Sequence, residues 1–184
     1  MARADILASM ARVHVLAAEI EQRLPAAAVQ NAELRADLAG LLAVLTCASY
    51  ESCVKLILNE YAVYHHQMFG LYVESRYDKI NSRISLNDLF GYCKTFNPQI
   101  NEKFKRELGE RKRIIERRLQ TDIEAAYGQL LRWRHDFAHS GARVTTIEEV
   151  LRTHTFAKRV ILCLDEAFSA FKTRNTRGSR RRAR

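Results

Sequence analysis

Residues 38–64 read LAGLLAVLTCASYESCVKLILNEYAVY, and the pattern of this stretch decides the fold. Leu38, Leu41, Leu42, Leu45, Ala48, Ser52, Leu56 and Val63 line one broad helical face, while Val44, Val54, Ile57, Leu58 and Tyr61 populate others. A helix that is apolar nearly all round must be enclosed by neighbours, so this one belongs at the centre of a helical domain. Asn31 stands where an N-cap is expected, and the helix is predicted to run from there to about Tyr64.

The flanking sequence supplies the neighbours. Towards the N-terminus, Ile6, Met10, Val13, Leu16, Ile20 and Leu24 recur at three- and four-residue steps, and Pro25 ends that helix. His14 sits beside the stripe as a partly exposed bystander. On the other side, Gly70 to Ser85 is less regular and reads as loop. Ser85 or Asn87 can cap a short helix from Leu86 to about Thr95, and Asn97-Pro98 opens the next, with proline near its first position. Thr121 is the expected cap of a helix carrying Ile123, Ala126, Tyr127, Leu130 and Leu131. Thr145 and Thr146 each precede a glutamate by three residues, a capping box for the last helix. That helix has the clearest 3.6-residue period in the chain, from Ile147 to Phe171, with His154 inside its stripe as a core or interface histidine. Only seven glycines and two prolines interrupt 184 residues. The class is therefore all-α, with one helical domain over residues 1–171 and a basic, flexible tail over 172–184.

Charge is unevenly spread. Of the formal net charge of +9, seven positive charges lie between Lys172 and Arg184, which leaves about +2 for the body. The tail therefore carries most of the tendency to bind polyanions. A second basic stretch, Glu102 to Arg118, holds eight basic and four acidic residues. It reads either as a solvated helix laced with ion pairs or as a strip, through Arg111, Lys112, Arg117 and Arg118, that follows an RNA backbone. Cys47, Cys53, Cys93 and Cys163 form no C-x-x-C pair and lie in apolar surroundings, where a thiol packs as a small hydrophobe. The adjacent His65 and His66 point about 100° apart on a helix and make poor joint ligands. No metal site and no cofactor is expected. The N-terminus has no apolar core of signal-peptide type, and no uninterrupted apolar run approaches the roughly 18 residues of a membrane span. A cytoplasmic protein with reduced thiols and no membrane association is the expectation.

The chemistry concentrates at residues 130–141, LLRWRHDFAHSG. Arg134 lies three, four, seven and eleven residues after Leu131, Leu130, Tyr127 and Ile123, so it extends the apolar face. A guanidinium there asks for an acid or a phosphate as partner. Arg132 points elsewhere and is the solvated control. Five helical residues separate Arg134 from His139, about 140° of rotation, so the two meet only if the helix frays or turns near Ala138. Ser140-Gly141 offers such an ending. These residue types suit cleavage of an RNA phosphodiester. Histidine can move the protons near neutral pH, and arginine holds fixed charge against two phosphate oxygens. One chain offers one strong acid–base group while the reaction uses two. A two-fold dimer, with Trp133, Phe137 and the Tyr127 face as contacts, would supply the second.

Arg134-His135-Asp136-Phe137-Ala138-His139 resembles the R-x4-6-H motif of HEPN domains, in its four-residue-gap form, and Ser140-Gly141 is similar to the ending that usually follows it. Ser49-Tyr50-Glu51 lies where several HEPN families carry a small residue and an acid. The resemblance covers roughly residues 1–171. It implies a bundle of four to five helices forming a two-fold dimer that acts as a metal-independent endoribonuclease. Arg134 and His139 would be catalytic, His135 would assist, and Glu51 and Asp136 would support them. It also implies RNA-targeting toxins and anti-phage defence, with a separately encoded antitoxin or sensor protein as a partner. Two other readings remain open from the residues themselves. One is a non-catalytic RNA- or nucleotide-binding module built on the tail and the basic helix. The other is a helical protein-interaction module whose charged motif caps a dimer interface. For Glu51, a plain surface ion pair with Lys55 is the alternative to a role at the site.

Overall fold

The computed structural model describes residues 2–27, 29–77 and 84–182, leaving aside the side chains of residues 2, 29 and 173–182. It contains seven α-helices: α1 (Ala2–Arg23), α2 (Ala32–His65), α3 (Gln67–Tyr77), α4 (Leu86–Phe96), α5 (Pro98–Leu119), α6 (Ile123–Ser140) and α7 (Ile147–Arg182). One 3-10 turn, Val29–Asn31, leads into α2, and no strand occurs among the described residues. The protein is all-α.

The 34-residue α2 is the centre that its sequence demands, packing against α1, α3, α6 and α7. Its most apolar window has a mean hydropathy of 1.6, so by length and composition it could cross a membrane, yet half of that window is buried inside the bundle. The other central element, α7, packs against α1, α2, α5 and α6. The five long helices α1, α2, α5, α6 and α7 form the bundle, and the short α3 and α4 lie on α2 and α5. The stretch from Gly70 to Ser85 is not all loop: α3 occupies its first part to Tyr77, and residues 78–83 lie outside the described residues. The ordering contact is close. A Cβ on Gly70 would come within 2.3 Å of the Val63 side chain, so only glycine lets α3 lie this near the end of α2. At the other end, α7 continues without a break through Lys172 to Arg182. The expected change to a flexible tail falls where the side chains, and then residues 183–184, lie outside the description.

Helix ends are fastened by charge. Arg35, whose side chain is only 11 % exposed, pairs with Glu21 of α1 at 2.7 Å and Glu148 of α7 at 2.6 Å, and donates to the Leu24 carbonyl. A single guanidinium thus gathers the ends of three helices. The four cysteines are buried and free. Burial pushes the Cys47 and Cys93 thiols up to about 12 and those of Cys53 and Cys163 up to about 11.

The core carries one polar relay. The Tyr50 ring lies 5.8 Å from Tyr127 of α6 and 5.7 Å from His154 of α7, stacked on both. The Tyr127 hydroxyl donates to the Ile84 carbonyl at 2.7 Å. His154 Nε2 lies 3.1 Å from the Met10 carbonyl, which can only accept. Its proton therefore sits on Nε2, and Nδ1 accepts from the Tyr50 hydroxyl at 2.8 Å. Burial holds this imidazole down at about 4, reinforced by the charges of Lys158 and His14. The unfolded histidine titrates near 6.5, so the native state excludes a proton that the unfolded state binds. The stabilisation is complete above pH 6.5 and is lost as pH falls from there towards 4, by at most about 3 kcal/mol. Thermal melts across this range should show wild type losing stability more steeply than His154→Gln. Parallel curves would mean that His154 does not titrate against folding.

Candidate functional site

The motif helix α6 starts one residue later than its sequence suggests. Asp122, not Thr121, is the N-cap, accepting from the N–H groups of Glu124 at 2.8 Å and Ala125 at 3.2 Å, while the Thr121 hydroxyl donates back to the Leu119 carbonyl. Lys112 of α5 reaches Asp122 at 2.8 Å and fixes this end. The other end does not fray at Ala138. The helix is continuous to Ser140 and stops at Gly141, which takes the left-handed conformation at φ 65°. The Gly141 N–H then donates to the Phe137 carbonyl at 2.9 Å, and the Ala142 N–H to the Asp136 carbonyl at 3.4 Å. Such a cap satisfies the last carbonyls and favours glycine at that position.

On its inner face α6 buries Ile123, Tyr127, Leu130 and Leu131 against α2 and α7. Arg134 continues this face and is half-buried. Its charge acts on Cys47 of α2, whose thiol lies 3.5 Å from the Leu130 carbonyl. One turn further on, the Phe137 ring rests against Gly40 of α2. A Cβ on Gly40 would lie 2.0 Å from that ring, so the two helices touch where α2 has no side chain. Sequence reading missed this contact; its signal was a glycine inside an otherwise apolar helix. It also missed the brace on the following loop, where Arg143 grips Asp37 of α2 through two bonds of 2.6 and 2.8 Å.

The outer face carries the imidazoles. His135 and His139, one turn apart, have ring centroids 4.4 Å from each other at 53°. His135 is half-buried and His139 exposed. Because the helix is unbroken between them, Arg134 and His139 remain about 140° apart around its axis. The fraying near Ala138 that the sequence suggested does not occur, and the two residues leave α6 in different directions. What the chain brings together is His135 with His139, and Arg134 with the α2 seam. Asp136 is half-buried, and its carbonyl anchors the cap and accepts the Ser140 hydroxyl at 2.6 Å. Trp133 packs at the edge of the core.

Other sequence candidates lie further off. Glu51 pairs with Lys55 at 2.9 Å on its own helix, and its charge adds, after burial and the charges of Asp88 and Tyr77, to what raises the Tyr92 hydroxyl of α4. Arg111 pairs with Glu166 of α7 at 3.7 Å, and Lys112 with Asp122 and with Glu124 at 3.6 Å. Half of the basic strip is thus used to brace α5, while Arg117 and Arg118 are exposed at its last turn. His65 and His66 are exposed. Among the described residues no group of three or more His, Cys, Asp or Glu side chains is placed to hold a metal ion.

The model of the RiboL-PSP-HEPN family matches residues 16–170, nearly the whole bundle. The chain belongs to this family and carries a HEPN domain, a domain type that is often a ribonuclease. No curated protein and no solved structure matches the chain.

The Gly40–Phe137 contact gives a sign test. Alanine gains roughly 1 kcal/mol over glycine inside a helix. Overpacking costs about 1–3 kcal/mol. Gly40→Ala should therefore lower the melting temperature in the wild-type background and raise it in a Phe137→Ala background. A gain in both would show that the ring moves aside freely.

Proposed function

We propose that this protein is a metal-independent endoribonuclease of HEPN type, acting as a homodimer whose composite site uses Arg134, His135 and His139 of both subunits. The observation that carries the reading is the close, tilted pair of His135, half-buried, and His139, exposed, near the end of the helix that bears the R-x4-H spacing, in a chain of the HEPN family. Two imidazoles in contact provide the acid and base that RNA cleavage requires. Their offset from Arg134 around α6 supports a site completed across a two-fold axis, where each copy lends what the other lacks. Leu34 and Leu41 of α2, each about half exposed, offer apolar surface for that dimer, whereas Tyr127, expected at the contact, is buried inside the bundle.

In this mechanism His139 takes the proton of the ribose 2′-hydroxyl. The 2′ oxygen attacks phosphorus and the bond to the 5′ oxygen breaks. A second imidazole protonates that leaving oxygen, giving a 2′,3′-cyclic phosphate and a 5′-hydroxyl end. Arg134, as a fixed cation, stabilises the charge of the phosphorane. We further propose a toxin–antitoxin or anti-phage role in the cytoplasm, beside a separately encoded antitoxin or sensor.

Wild-type protein should cut total RNA in the presence of EDTA. His139→Ala and Arg134→Ala should each lower the rate by at least about a hundredfold, the scale of one general acid–base or electrostatic group. RNA binding without cleavage, unchanged in both variants, would instead favour the non-catalytic module. Loss of cutting in EDTA with rescue by zinc or manganese would make the histidines ligands.

A further inference from the structure

Arg132 has no part in the reading above, yet its position is not that of an idle surface arginine. Its guanidinium folds back along α6, 3.6 Å from where a Cβ on Gly128 would stand, and donates to the Gln129 side chain. There it enters a groove of about 680 Å³ between the end of α5, the outer face of α6 and the first turns of α7. Arg152 enters the same groove from α7, where it is exposed, and Phe156 and Leu119 supply apolar lining, Leu119 being 59 % exposed. The one acid in the lining, Asp122, is already committed to Lys112 and to two backbone N–H groups. The exposed Arg117 and Arg118 lie just before Leu119 at the rim. The groove is thus a cationic trough with an apolar wall.

Its direction matters as much as its charge. Seven residues of α helix bring Arg132 to within about 20° of His139 around the axis, at a rise of about 10 Å. Arg132, His135 and His139 therefore form one outward stripe, with the arginine groove at one end and the imidazole pair at the other. A flexible polyanion lying along α6 would meet both.

We propose that this groove is a second RNA contact. Single-stranded RNA held at the imidazole pair continues along α6, Arg132 and Arg152 grip phosphates flanking the scissile one, and an unstacked base rests on Phe156 and Leu119. The proposal rests on the ribonuclease reading for the site it extends, and Arg132 and Arg152 are positioning residues, remote from the reacting atoms. Single strands fit better than duplex because the groove pairs fixed cations with an apolar wall, which suits a backbone with exposed bases.

The test uses the full chain and the double variant Arg132→Ala/Arg152→Ala, with Arg132→Lys/Arg152→Lys as the charge-conserving control. Binding of a labelled, uncleavable 2′-deoxy oligonucleotide is followed across a salt series, and cleavage of the matching RNA gives kcat and KM. Loss of two phosphate contacts should reduce the slope of log K against log salt by about 1.4. KM should rise with kcat retained, and the lysine variant should restore most of the slope. If wild type binds the oligonucleotide without cutting RNA while the double variant loses the slope, the groove stands and the ribonuclease reading falls. An unchanged slope and KM in a folded double variant overturn the groove. So does a variant that keeps RNA binding but loses an acidic protein partner, because the trough would then belong to that partner.

Discussion

The bundle and the site depend on how closely α6 can approach α2. Gly40 removes the side chain that would hold the helices apart, and the Phe137 ring fills the space. Behind this contact the Cys47 thiol meets the Leu130 carbonyl, and Tyr127 stacks on Tyr50. With its inner face seated in this way, α6 has no freedom to rotate, and its outer face presents His135 and His139 in a set direction. The glycine cap at Gly141 and the Arg143–Asp37 brace stop the helix immediately afterwards. The histidine pair is thus positioned by core packing on one side and by a charged clamp on the other.

Much of this was legible in the sequence because it is local. The all-round apolar pattern of residues 38–64 made α2 central, the Thr146–Glu149 capping box opened α7, and Asn97-Pro98 opened α5. Apolar periodicity also placed Arg134 towards the core rather than among solvated charges. Two departures have a shared cause. The helix α3 looked irregular, and the part Gly40 plays went unread, because each depends on how closely one helix backbone approaches another. Periodicity describes a helix's own faces and is silent on how near its neighbour comes.

The relation between Arg134 and His139 departs more instructively. A spacing of five suggested that the helix should break to bring them together. Gly141 instead allows the helix to run to Ser140 before it stops, which keeps the arginine inward and the histidines outward. Ion pairs were the other hidden element. Arg111 and Lys112 read as candidate RNA ligands by composition, but both brace α5 against its neighbours, while Arg132, taken as a solvated control, folds into a groove. Charge counts cannot separate these roles, since partners far apart in sequence decide which cation is spent inside the fold.

The central claim is that the imidazoles of α6 direct the ribose 2′-hydroxyl against its own phosphodiester. It is tested most directly by mapping a cleavage position in a short RNA and then replacing that one ribose with 2′-deoxyribose. The account predicts that cutting at this bond disappears while the intact RNA yields a 2′,3′-cyclic phosphate end. Continued cutting at the substituted position, or a 3′-hydroxyl end on the intact RNA, would contradict it.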